Sequence, residues 1–187
     1  LHHDVGDQHH EGDRGKGDLG AAGGAKGCAM TPTRIVLHCS ATEDGRTFSW
    51  PAIARYHVES LGWAAIGYHY GLELVGEQLV AVQGRPWHVQ GAHCKAAGRN
   101  LDSLGLCVVG RYDLYPPAPA VMAATCRLLA GLCWAFGIPP EMVSGHREWE
   151  PAKTCPGTAW DLDATRTEVA RLLNVGSAIG PHLSLPP

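Results

Sequence analysis

Two histidines and a cysteine give this chain its most specific chemical possibility. His38 lies inside the apolar run Arg34–Ser40, and His146 follows Gly145. Cys155 comes nine residues later, within Lys153-Thr154-Cys155-Pro156-Gly157. Two imidazoles and a thiolate form a sound zinc set, and three protein ligands leave a fourth position for water. A centre of that kind polarises a carbonyl and generates hydroxide at neutral pH. Spacing alone does not decide the matter, because a lone strand histidine is more often a satisfied core residue than a ligand. The three residues need elements that bring them together.

Those elements can be read from the patterning. Arg34–Ser40 is rich in branched apolar residues and predicts a strand. Ser49-Trp50-Pro51 predicts a helix start and Gly62 its stop, with Ile53, Tyr56, His57, Ser60 and Leu61 along one side. Tyr68–Leu74 and Gln78–Gln83 flank Val75-Gly76-Glu77, a hairpin signal. Trp87–Leu101 reads as a loop and Ser103–Val109 as a second buried strand. Pro119–Phe136 predicts a long helix ending at Gly137, Met142–Gly145 a short strand, and Asp163–Leu173 a last helix. Strands and helices mix around one sheet, so the fold class expected is α/β or α+β.

Composition supports a single domain. The chain has 187 residues, 45% hydrophobic and 18% charged, enough to bury a core and unlike a disordered protein. A net charge of -3 gives no bulk attraction to nucleic acid or to an anionic membrane, so neither is expected as a partner. The early residues hold no apolar run and no uncharged stretch reaches membrane-spanning length, so no signal peptide or membrane segment is expected. Residues 1–29 are rich in Gly, His and Asp without hydrophobic periodicity and read as a disordered tail or an upstream segment, with Met30 as the candidate natural start. Residues 30–175 form the expected domain and 176–187 a flexible C-terminal tail. Seven cysteines show no CxxC pairing, and Cys126 and Cys133 stand roughly 10 Å apart along one helix, too far to bridge. A reduced compartment with one metal-ligating cysteine fits better than a disulfide framework.

A set of short blocks carries a wider resemblance. They are Val36-Leu37-His38-Cys39-Ser40-Ala41-Thr42, His57 with Gly62-Trp63, and Ile66-Gly67-Tyr68-His69-Tyr70. Gly91-Ala92-His93, Gly98-Arg99-Asn100, Ser103-Leu104-Gly105, Gly145-His146-Arg147 and Lys153-Thr154-Cys155-Pro156-Gly157 follow in order. From about Arg34 to Leu173 the chain resembles the type-2 N-acetylmuramoyl-L-alanine amidases, which include amidase-type phage lysozymes and peptidoglycan recognition proteins.

That resemblance implies a central mixed sheet flanked by helices and a Zn2+ held by His38, His146 and Cys155. It implies Tyr68 and Lys153 as the catalytic pair, and His93 and Asn100 as substrate-contacting positions. The implied reaction is hydrolysis of the amide between N-acetylmuramic acid and L-alanine of bacterial peptidoglycan. Family members that only bind peptidoglycan have typically lost the cysteine ligand, and recycling amidases usually carry aspartate there. Cys155 therefore leans towards the phage-lysozyme side: a monomeric endolysin, made in the host cytoplasm and acting on the cell wall. Some phage lysozymes of this type also bind RNA polymerase, but no sequence feature here points to such a surface. Strand alternation puts Cys39 opposite His38, in the core, and His69 opposite Tyr68; His69 and His57 read as structural. Two departures fall in loops: the His146–Cys155 spacing is one residue longer than in many relatives, and the segment after His93 about two residues longer.

Overall fold

The computed structural model describes residues 29–42 and 49–178. Five strands make one sheet: β1 (Arg34–Cys39), β2 (Tyr70–Val75), β3 (Gln78–Gln83), β4 (Ser103–Val108) and β5 (Val143–Gly145). Their order is β3-β2-β4-β1-β5. Only the β2–β3 hairpin is antiparallel; β1 runs parallel to both β4 and β5, and β2 parallel to β4. The hairpin turns through Gly76-Glu77, with Gly76 at φ 62, the left-handed conformation such a short turn requires.

Alternation divides the sheet into two chemically different faces. Ile35, Leu37, Leu104, Leu106, Val108 and Leu72 point to one side. There they meet α2 (Pro119–Phe136) and α4 (Leu162–Ala178) through Val121, Cys126, Leu129, Cys133 and Val169. Cys39 joins this core, as alternation requires. α2 is long and apolar enough to cross a membrane, yet its inner face is committed to the sheet. α4 continues to Ala178, past Gly176, where a flexible tail was expected to begin. Residues 1–28 and 179–187, most of the two expected tails, lie outside the described residues.

The opposite face carries His38, Gly105, Cys107, Gly71 and Glu73, and here α1 (Trp50–Arg55) lies across the sheet. Ser49 does not cap α1 with its own side chain. The buried Glu73 carboxylate on β2 accepts the Ser49 N–H and, at 3.0 Å, the Trp50 N–H. A carboxylate at a helix N-terminus satisfies orphan donors and complements the dipole. After α1 the chain widens into a π-turn over Tyr56–Ser60. The buried side of this segment is Trp50, Ile53, Ala54 and His57, the ordinary i, i+3, i+4, i+7 stripe, while Tyr56 and Ser60 turn outward, unlike the face read from the sequence.

Gly71 sits directly beneath the Trp50 indole, and a Cβ there would fall well inside contact with the ring. Gly71→Ala should therefore lift α1 and cost about 1–3 kcal/mol, the usual range for overpacking a filled site. Urea denaturation checks this, and an unchanged midpoint would mean that α1 is not seated on the sheet.

Candidate metal centre

Strand register brings the two candidate histidine ligands together. Leu37 of β1 pairs with Gly145 of β5, and the next residue on each parallel strand is a histidine. At His146 the chain turns from β5 directly into a four-residue helix, α3 (His146–Trp149), which was not read from the sequence. The His38 and His146 rings consequently lie 4.6 Å apart between centroids, both buried.

Cys155 arrives from the loop after α3, and Arg147 ties that loop down. The Arg147 N–H donates to the Cys155 carbonyl at 2.7 Å, and its guanidinium donates to the carbonyls of Gly157 and, at 2.8 Å, Trp160. The Cys39 N–H donates to Cys155 Sγ at 3.3 Å, and Sγ lies 3.6 Å from His38 Nδ1. One ligand atom from each of His38, His146 and Cys155 lies within 4.8 Å of the others. A second donor group, Cys94, His146 and Glu150, shares His146. Glu150 follows His146 by four residues, a helical pairing that the sequence contains but that was not singled out. Cys94 had no comparable local signal, because it reaches the cluster only through folding of the loop.

The donors suit a zinc-sized cation. The His146 ring is 4% exposed, yet neither nitrogen makes a hydrogen bond of acceptable geometry. Its Nε2 is 3.3 Å from the Glu150 carboxylate but poorly aligned with it. A buried imidazole left so under-satisfied is costly, and a cation bound at one nitrogen would relieve that cost. Burial, reinforced by the positive charge of Lys153, lowers the pKa of His146 despite the opposing pull of Glu150. The ring is therefore neutral at physiological pH, the form that ligates.

Tyr68 lies just before β2, its ring 5.2 Å from that of His38 and 5.5 Å from that of His57. Burial pushes its phenol well above the usual range, so it stays protonated and able to donate. Arg85 holds this segment from behind, donating at 2.7 Å to each of the Ile66 and Gln90 carbonyls. Lys153 is half-buried, its N–H donating to the Glu150 carbonyl at 2.8 Å, close enough for its charge to act on His146.

His57 and His69 do what the sequence suggested. His57 Nδ1 accepts the Gly67 N–H at 3.1 Å. His69 Nδ1 accepts the Gly105 N–H at 2.9 Å, and its Nε2 faces the Val89 carbonyl at 2.9 Å. His93 and Asn100 are placed less openly than a substrate contact suggests. His93 is 9% exposed, with Nδ1 3.0 Å from His38 Nε2. The Asn100 carboxamide oxygen is turned inward, accepting the N–H groups of His93 and Cys94 at 2.8 Å each.

Buried neutral histidines set the response to acid. Burial holds His93 down to about 3 and lowers His69 as well, against an ordinary value of 6.5. Below that value the unfolded chain binds protons that the folded chain refuses, so stability falls as pH drops from about 6.5 towards 3. With metal chelated, the urea midpoint at about pH 4.5 should lie well below that at about pH 7. A higher midpoint in acid would show that these rings are charged in the folded state.

A mixed sheet flanked by helices, with a His-His-Cys donor cluster gathered beside the ends of two parallel strands, defines an α+β protein with a candidate metal centre. The chain belongs to the type-2 N-acetylmuramoyl-L-alanine amidase family: residues 29–158 match that family's sequence profile, described as N-acetylmuramoyl-L-alanine amidase. It is 34% identical over 94 residues to peptidoglycan recognition protein 1 of Bos taurus, covering 50% of this chain and 47% of that protein. It is 33% identical over 122 residues to the N-acetylmuramoyl-L-alanine amidase of Homo sapiens, covering 62% and 19% respectively. The chain thus spans about half the length, or less, of these two relatives. The solved N-acetylmuramoyl-L-alanine amidase LysC of Clostridium intestinale superposes with a TM-score of 0.61 at 21% identity, over 75% of this chain and 86% of that one. Drosophila PGRP-LB superposes at 0.59 and 22%, over 82% and 83%. At such identities the likeness is one of fold.

Proposed function

We propose that this chain is a zinc-dependent amidase that hydrolyses the bond between the lactyl group of N-acetylmuramic acid and L-alanine in peptidoglycan, acting as a phage or prophage endolysin. The observation that carries the reading is the convergence of His38, His146 and Cys155, with Lys153 beside them. His38, His146 and Cys155 would hold the zinc, which when bound supplies a Lewis acid for the amide carbonyl and makes water nucleophilic at neutral pH.

The chain's own groups divide the remaining work. The Lys153 ammonium stabilises negative charge developing on the carbonyl oxygen. The Tyr68 phenol, held protonated by burial, orients the reacting groups and assists proton movement. Arg147 fixes the loop that carries both Lys153 and Cys155, so that ligand and ammonium move as one unit. The Asn100 carboxamide, by holding the backbone at His93 and Cys94, fixes the segment beside the donor set.

The thiol in the donor set favours turnover over wall binding without chemistry. Purified protein should hold about one zinc per chain. Chelation should abolish clearing of a cell-wall suspension, and added zinc should restore it. Full activity in a demonstrably metal-free preparation would sink this mechanism.

A further inference from the structure

His93 occupies a slot built for a flat ring. Its ring passes between Gly91 and Gly105, and a Cβ at either position would come within 2.5–2.6 Å of His93 ring carbon Cδ2. Gly105 is the β4 residue next but one to Cys107, on the face that carries His38. The backbone at His93 is fixed as well, by its N–H donating to the Asn100 carboxamide oxygen at 2.8 Å. Ring and backbone are thus both held where the His93 nitrogens meet two particular atoms.

Those two atoms determine the proton positions. His93 Nε2 faces the backbone carbonyl of Ser103 at 3.3 Å. A carbonyl only accepts, so Nε2 must carry the hydrogen. In the neutral ring Nδ1 is then a bare lone pair, and it faces His38 Nε2 at 3.0 Å. His38 must therefore donate from Nε2, so its own Nδ1 carries no hydrogen. That atom is the one 3.6 Å from Cys155 Sγ.

We infer that His93 is a positioning residue which locks His38 in its Nε2-protonated tautomer and presents Nδ1 to the metal centre. The Ser103 carbonyl anchors a two-imidazole chain that transmits one proton arrangement to the ligand. Outer partners of this kind orient metal-ligating histidines, and their loss typically costs 10–100-fold in metal affinity. The inference rests on His38 being a ligand, but the tautomer is defined without any metal.

Nitrogen-15 NMR of the full chain, stripped of metal, reads the tautomer directly. The wild type should show His38 protonated at Nε2 and bare at Nδ1. His93→Phe keeps a ring but removes both nitrogens; it should leave His38 a mixture of tautomers and weaken zinc binding by about 10–100-fold. Gly105→Ala, which crowds the ring in its slot while leaving both imidazole nitrogens in place chemically, should shift both readouts in the same direction. His93→Gln, which restores a donor and an acceptor, should recover part of the affinity. A His38 protonated at Nδ1 in the wild type overturns the inference, as does a folded His93→Phe variant that binds zinc as tightly as wild type. Should the variants fail to fold, the wild-type spectrum decides alone. Absence of zinc binding by the wild type would instead defeat the metal-centre reading, and the spectrum would still report whether His93 sets the tautomer.

Discussion

Cys155→Ser should lose both bound zinc and amidase turnover. Serine keeps the size of the side chain and replaces a thiolate by a hydroxyl that stays protonated near neutral pH, a far poorer zinc ligand. The loop itself should survive, because Arg147 holds it through the carbonyls of Cys155, Gly157 and Trp160 rather than through the thiol. What disappears is the third donor within reach of His38 and His146. The zinc-dependent part of the thermal stability should vanish too, since a ligand that binds only the folded state stabilises it by mass action. Metal content after exhaustive dialysis, clearing of a cell-wall suspension, and melting curves with and without zinc check the three effects in turn. A Cys155→Ser protein that retains stoichiometric zinc would remove Cys155 from the ligand set.

Lys153→Ala and Tyr68→Phe should behave differently: both retain zinc while turnover falls roughly a hundredfold or more, the scale of losing an oxyanion stabiliser or a proton-transfer group. Neither side chain belongs to the donor set, so metal affinity has no reason to follow activity. Tyr68→Phe preserves the ring packed 5.2 Å from His38 and removes only the hydroxyl. His69→Asn makes a useful contrast. His69 joins the Gly105 N–H to the Val89 carbonyl, so its loss should reduce stability more than the chemical step. Near-normal rates for Lys153→Ala and Tyr68→Phe would show that the catalytic pair lies elsewhere, even with the zinc site intact.

The parts of the site that were legible in the sequence are those fixed by short-range pattern. The alternation in Arg34–Cys39 placed His38 and Cys39 on opposite faces, and the structure keeps them there. The Gly76-Glu77 turn and the α2 helix with its Gly137 stop were equally local signals. What escaped depends on distance or on departures from ideal periodicity. The π-turn at Tyr56–Ser60 was not read, because no single-sequence pattern announces the extra residue per turn. The α3 helix has four residues, too few for an amphipathic repeat. The strand order and the Leu37–Gly145 register, which bring His38 and His146 side by side, arise from parallel pairing across 108 residues of chain. That proximity was expected only through family resemblance. The burial of His93 behind His38 was not foreseen at all, because its slot is made by glycines in two separate segments.

Mass spectrometry of purified peptidoglycan digested by the full chain tests the central claim most directly. Muramoyl-alanine hydrolysis predicts stem peptides with a free N-terminal L-alanine and intact glycan strands bearing unsubstituted lactyl carboxylates. Both products should be absent after chelation and should return with zinc. New reducing sugar ends, or peptides cut internally with their L-alanine still bound to muramic acid, would contradict it.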